Sequence, residues 1–283
     1  MRIKMKLQNL FCALLLGISM VGCADNGERD AEMLYRRAAK SFDCQQYSLA
    51  KLQADSIKIL YPKAFEVRAD ALRLLLRIDH AESVTGLSYT DSLLAVNRER
   101  VAPLVEGLYL DKDVRYQDVG TYYSPNYRSE KNMGRTYVRP QVDEQGKHTI
   151  VAFRYGAPIE AHTLRFTAPD AAYVEVQTTS QPYQMSDALG RTERTDFTPS
   201  PLGSVGSFVS LNKGNNIKVT LVGHKGTAQI PFSKADVAAF LQVYELAMVL
   251  NAIGELEKQH DELTRRIDFL ARRMQSDSIN QSE

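Results

Sequence analysis

The chain contains no tryptophan, and only three of its 283 residues are cysteine: Cys12, Cys23 and Cys44. So few thiols exclude the disulfide framework that holds small secreted domains together. Neither charge sign dominates, with 35 lysines and arginines against 34 aspartates and glutamates. That balance removes the electrostatic case for a nucleic acid partner. The motifs G-x-S-x-G, G-x-G-x-x-G, the P-loop and H-E-x-x-H are all missing, so acyl transfer, dinucleotide binding, phosphoryl transfer and helical zinc chemistry have no signature. No two of the five histidines, His80, His148, His162, His224 and His260, stand four residues apart. No metal and no cofactor is therefore expected. Long apolar runs are also scarce. What is there includes 14 tyrosines, 10 phenylalanines and one apolar stretch, Leu10–Val21.

That stretch has a basic start, Arg2, Lys4 and Lys6, and ends in Met20-Val21-Gly22-Cys23. Twelve apolar residues make a signal core and are too few to span ~30 Å of hydrocarbon. The segment resembles a bacterial lipoprotein signal with its lipobox. The resemblance implies export, removal of residues 1–22 and fatty acylation (palmitate) of Cys23. Membrane attachment would run through that lipid. Ala24, rather than Asp, leans towards the outer membrane of a Gram-negative cell envelope. Cleavage removes three basic residues and no acid, which leaves the mature chain slightly acidic. Cys44 would then be the only unmodified thiol, and it is expected to be buried and inert.

The mature chain, Cys23 to Glu283, is long enough for a core held by burial alone. Residues 23–29 are expected as a polar tether and 30–110 as a helical module. Ala31, Leu34, Ala38 and Phe42 share one helical face; Tyr47, Ala50, Ile57 and Leu60 share another, ending at Pro62. Leu34, Ala38, Tyr47, Ala50, Leu60 and Pro62 resemble one tetratricopeptide repeat. A third helix follows over Lys63–Ile78. A loop is expected at His80–Leu87, then a fourth helix capped by Thr90-Asp91-Ser92 and shortened or kinked at Pro103.

From 113 to 232 the period becomes two. Arg135–Val142 and Lys147–Tyr155 predict a hairpin about Asp143–Gly146. Further strands are expected at His162–Thr167, Ala172–Thr178, Ser207–Leu211, Ile217–Val222 and Thr227–Phe232. The aperiodic stretch 179–206 reads as a mobile loop. Seven strands suggest a sandwich-like antiparallel domain. Ser233-Lys234-Ala235-Asp236 is a capping box, with Phe232 stapled to Val237. It opens a long helix, 233–275, before a disordered tail at 276–283. Leu256, His260, Leu263, Ile267 and Leu270 continue a heptad. They are expected to pair the helix antiparallel with 90–108, or between chains as a homo-oligomer. The fold class is α+β.

The order of Ile57–Phe65, Tyr116–Gly120, Glu130–Asn132, Arg139–Gly146 and Val243–Leu246 behind a lipobox resembles a family of bacterial envelope lipoproteins without assigned activity. That resemblance implies location and architecture and brings no catalytic residue. The acid pairs Asp143-Glu144 and Glu193 with Asp196 are expected to be solvated. One cluster points to binding. Six tyrosines between Tyr109 and Tyr137 alternate with Arg115, Arg128, Arg135 and Arg139. Tyrosine and arginine dominate binding hot spots. Tyr116, Tyr122, Tyr123, Tyr127, Arg128, Arg135, Tyr137 and Arg139 are the candidate ligand residues. A non-enzymatic structural or protein-interaction role in the envelope is the leading expectation. A glycan- or peptide-binding module on this segment comes second and an unrecognised hydrolase third.

Overall fold

Small residues decide how the N-terminal helices meet. In the computed structural model, which describes residues 22–187, 190–199 and 203–279, α1 (Gly22–Asp43) and α2 (Tyr47–Leu60) form a hairpin. Ala38, Ala50 and Ala54 are buried in one of its clusters with Leu74 and Ile78. Ala31, Ala64 and Ala71 surround Ile57 in the other. Alanine lets helix backbones approach closely while costing little side-chain entropy. Cys44, expected to be buried, is exposed; it sits in the tight turn between the two helices, where Gln45 takes φ +58°. Residues 1–21 of the signal lie outside the described residues. The expected tether is helical, because α1 begins at Gly22.

α3 (Phe65–Val105) is one helix of 41 residues. The expected loop at 80–87 and the cap at Thr90 are therefore corrected. The serine and threonine hydroxyls of this stretch bond back along the helix. Ser83 donates to Asp79 O at 2.7 Å, Thr85 to Ala81 O at 2.9 Å and Thr90 to Gly86 O at 2.9 Å. Pro103 stands two residues before the helix ends, and Gly107 at φ +77° then turns the chain.

The chain divides into two compact units. Among the described residues, one holds those up to Asp91 together with those from Gln259 onward; the other is Ser92–Lys258. The division falls inside α3 and inside the last helix, not at 110–113 and 232–233.

The second unit holds ten strands among the described residues. β1 (Tyr109–Asp111), β2 (Thr121–Tyr123), β3 (Tyr137–Asp143), β4 (His148–Tyr155), β7 (Tyr183–Asp187) and β8 (Gly190–Phe197) form a sheet in the order 1-2-3-4-8-7. β5 (Ala161–Thr167), β6 (Tyr173–Gln177), β9 (Lys218–Gly223) and β10 (Gly226–Ile230) form another in the order 10-9-5-6. All the pairs are antiparallel. One apolar cluster joins Ile150 and Phe197 of the larger sheet to Leu164, Phe166 and Leu221 of the smaller. The expected hairpin is present: Asp143 Oδ1 accepts from the N–H groups of Gln145 and Lys147, and Gly146 takes φ +89°.

Two expectations fail here. The stretch 179–206 carries β7 and β8 rather than a loop, and Ser207–Leu211 belongs to helix α4 (Gly203–Leu211) rather than a strand. β8 hid because Glu193 and Thr195 take inward positions next to Phe197, so the strand shows no hydrophobic alternation. Glu193 is also not a solvated acid. It is 0% exposed, and its carboxylate accepts from the N–H groups of Glu160 at 2.9 Å and Ala161 at 3.0 Å. α4 is helical because Val205 and Val209, four apart, both enter the core. Gly206 has no room for a side chain there: a Cβ would lie 2.1 Å from the Tyr244 ring.

α5 (Lys234–Ile279) opens with the expected capping box, Asp236 Oδ2 accepting from Ser233 N–H and Oγ–H at 2.7 Å each. The helix continues through 276–279, expected as tail; 280–283 lie outside the described residues. By length and composition it is apolar enough to cross a membrane. In this unit its apolar face packs on the sheets through Val237, Phe240, Val243 and Leu246, as a core helix does. α3 and α5 run antiparallel. In the β unit, Arg98 pairs with Glu257 at 2.7 Å, and Gln242 donates to Leu104 O in the last turn of α3 and to Glu106 O just beyond it. In the helical unit, His260 faces Asp91 at 3.4 Å, Arg266 faces Asp79 at 3.7 Å, and Leu263 lies against Gly86. Leu256, His260, Leu263 and Ile267 are half-buried and Leu270 is buried, between exposed neighbours. The seam thus has a partner within the chain.

Candidate functional site

Strand register sorts the candidate tyrosines and arginines. Successive residues of a strand face opposite ways. Tyr137 and Arg139 of β3 therefore share a face with Phe153, which stands opposite Tyr137. On that face a continuous ladder forms. Arg128 lies over Tyr109 at 4.7 Å, and Tyr109 meets Tyr123 edge-on at 5.4 Å. Arg139 lies between Tyr123 at 4.4 Å and Phe153 at 5.2 Å. Phe153 stacks on Tyr137 at 4.7 Å, and Tyr137 on Tyr127 at 6.2 Å with planes 5° apart.

The ladder's ends are tied. Tyr123 donates to Asp111 Oδ2 at 3.0 Å, and Tyr127 donates to Asp236 Oδ1 at 2.7 Å. Asp236 is the acid of the capping box, so one carboxylate holds both the start of α5 and the 3₁₀ turn Pro125–Tyr127. Burial pushes the Tyr123 phenol up to about 12, with the Asp111 bond adding to it. Burial first, then the Asp236 bond, raises Tyr127, and burial raises Tyr137. Desolvation holds the Arg139 guanidinium below the ordinary arginine value, while the Tyr123 and Tyr137 hydroxyls oppose that effect. Arg139 is buried, and its charge rests on two aromatic faces; its Nε has no hydrogen-bond partner.

The eight candidates therefore separate. Tyr123, Tyr127, Arg128, Tyr137 and Arg139 come together in the ladder. Tyr122 faces the other way, against Val142 and the α5 cluster. Arg135 is exposed and apart from the ladder, and Tyr116 is 81% exposed with only Arg115 over its ring. Sequence reasoning missed Phe153, Asp111 and Asp236, the groups that connect the rest. Phe153 was open to inference from the hairpin register; the two aspartates were not.

A second feature lies elsewhere on the β unit. A cleft of about 580 Å³ is lined by Glu160, His162, Thr178, Gln181, Gln184 and His224. His162 and His224 are in ring contact with centroids 4.6 Å apart. His148, by contrast, takes no part in this cleft. His148 is buried against Phe240 and Tyr244. Among the described residues, no group of three or more His, Cys, Asp or Glu is arranged to hold a metal ion. Comparison with protein families, curated proteins and solved structures finds no match to this chain.

Proposed function

We propose that this chain is a lipid-anchored protein of the cell envelope that acts through non-enzymatic protein interaction. The observation that carries the reading is the basic, apolar and small-residue sequence of Met1–Cys23, ending at the acyl-accepting cysteine. The folded part supports it in two ways. The Tyr/Arg ladder spends the Tyr123 and Tyr127 hydroxyls and its aromatic faces on its own packing, as a stiffener of the sheet does. The helical unit, by contrast, leaves Leu52, Ile59, Leu60 and Phe65 exposed at 62–76%. Such apolar surface marks an interaction face.

A glycan or peptide surface on residues 109–139 is the second reading, favoured by the exposed Tyr116 with Arg115 at 5.4 Å over its ring. Detergent phase partition tests the anchor. The protein is expected in the Triton X-114 phase and labelled by a palmitate analogue, with both lost in Cys23→Ser. Native protein that stays aqueous and keeps Met1 sinks the reading. Photo-crosslinking from position 59 in intact cells is expected to trap a discrete envelope protein. Specific glycan binding abolished by Tyr116→Ala would favour the second reading.

A further inference from the structure

We propose that His162 and His224 form a two-imidazole site for a divalent transition metal ion, filled best by Cu(II). The two residues are 62 positions apart in sequence, and the fold joins them by three devices. β5 pairs with β9 so that Ala161 stands opposite Gly223. The turn after Gly223 is tied back, His224 N–H donating to Glu160 O at 3.2 Å and Lys225 N–H to Ile159 O at 2.9 Å. Gly223 permits this approach, since a Cβ there would lie 2.2 Å from Ile159 O. The register shift between Ala161 and Thr163 is a bulge at His162, a device that re-aims a side chain.

The resulting geometry suits ligation. Two imidazoles bound to one ion at about 2.1 Å, roughly at right angles, have ring centres roughly 4.5–5 Å apart. The observed separation is 4.6 Å, with ring planes inclined by 39°. His162 Nδ1 lies 2.8 Å from Thr163 Oγ1. A hydrogen bond there fixes the ring and leaves Nε2 to the metal, as in many histidine sites. Among the described residues, no side chain hydrogen bonds to the His224 ring, so its nitrogens are open to an ion. The nearby cation, Lys225, is neutralised by Glu160 at 2.5 Å and does not repel a dication. The cleft leaves the remaining coordination positions to water or to an oxygen or nitrogen donor from outside. Imidazole suits copper, nickel and zinc, and copper binds tightest among them.

The test is titration of the untagged, detergent-solubilised full chain with CuCl₂, read by electron paramagnetic resonance and calorimetry. One Cu(II) per chain is expected, with nitrogen hyperfine structure and micromolar affinity. His162→Asn and His224→Asn should each weaken binding at least tenfold, while His80→Asn leaves it unchanged. On the unmutated protein, substoichiometric Cu(II) should broaden the Cε1–H resonances of His162 and His224 before those of His80, His148 and His260. Absence of saturable binding, unchanged affinity in a chain carrying both His162→Asn and His224→Asn, or broadening that begins at another histidine overturns the site. None of these outcomes bears on the lipid anchor.

Discussion

The helical unit is cored by alanine and the β unit by large apolar side chains. Six of the ten buried residues in the two helical clusters are alanines. The β unit centres on Phe166, Phe197 and Phe240 with Leu164 and Leu221. Alanine brings helices close but removes little apolar area from water. The large side chains of the helical unit that do not fit so thin a core, Ile59 and Phe65 among them, stay on its surface. The β unit buries its core phenylalanines and leucines, although Val114 and Leu211 stay 82% and 84% exposed, and it satisfies its buried acid, Glu193, with two backbone N–H groups. The two regions differ in what fills their cores: small side chains in one, large ones in the other.

The sharpest way to break this contrast is a pair of truncations. Phe240→Ala should destabilise by about 3–5 kcal/mol through lost burial and a cavity. Ile59→Ala, at an exposed position, should change stability by under about 0.5 kcal/mol. Chemical denaturation measures both, and equal losses would erase the distinction between the units.

Acid should act almost as strongly, and on the β unit. Burial pushes the His148 imidazole down to about 4 from its ordinary 6.5, and neither ring nitrogen has a hydrogen-bond partner. The unfolded chain takes up a proton near 6.5 while the folded chain resists until about 4. Stability is therefore intact above the first value and is lost as pH falls to the second, by about 3 kcal/mol in all. Unfolding of the wild type and of His148→Met between pH 7 and pH 4 measures this, and parallel curves would refute it.

Leu263→Asp sharpens the comparison from the helical side. Leu263 meets α3 at Gly86, and a carboxylate there should cost about 2 kcal/mol. An unchanged melting temperature would mean that the α3–α5 seam contributes nothing. The smallest expected loss at a buried contact is that of Tyr127→Phe, which removes the bond to Asp236 and should cost about 1–2 kcal/mol. It should also loosen the Pro125–Tyr127 turn, visible as faster amide exchange there while the rest of the sheet keeps its protection.

Legibility followed local signal. The β3–β4 hairpin was readable because alternation and an Asp–Gly turn agree. The start of α5 was readable because Ser233 and Asp236 stand at capping-box spacing. β8 was not, since its inward Glu193 finds its donors at residues 160 and 161, far away in sequence. The run 80–87 misled because serine and threonine hydroxyls favour turns in isolation yet bond back along a helix when a partner helix supports it. At the candidate site, the crowding of tyrosine and arginine was visible. Which of them stack was not, because the answer depends on strand register and on Asp236, 109 residues beyond Tyr127.

The sequence by itself determined the features whose causes lie within a few residues of one another. These are the helical faces of α1 and α2, the capping box, the Asp143–Gly146 turn and the basic-apolar composition of the first 23 residues. Only the tertiary structure decided which tyrosines join the ladder, that Glu193 is buried, and that His162 meets His224. Each of these depends on groups tens of residues apart being brought within a few ångströms. Periodicity records which face a residue takes and carries no information about what arrives on that face.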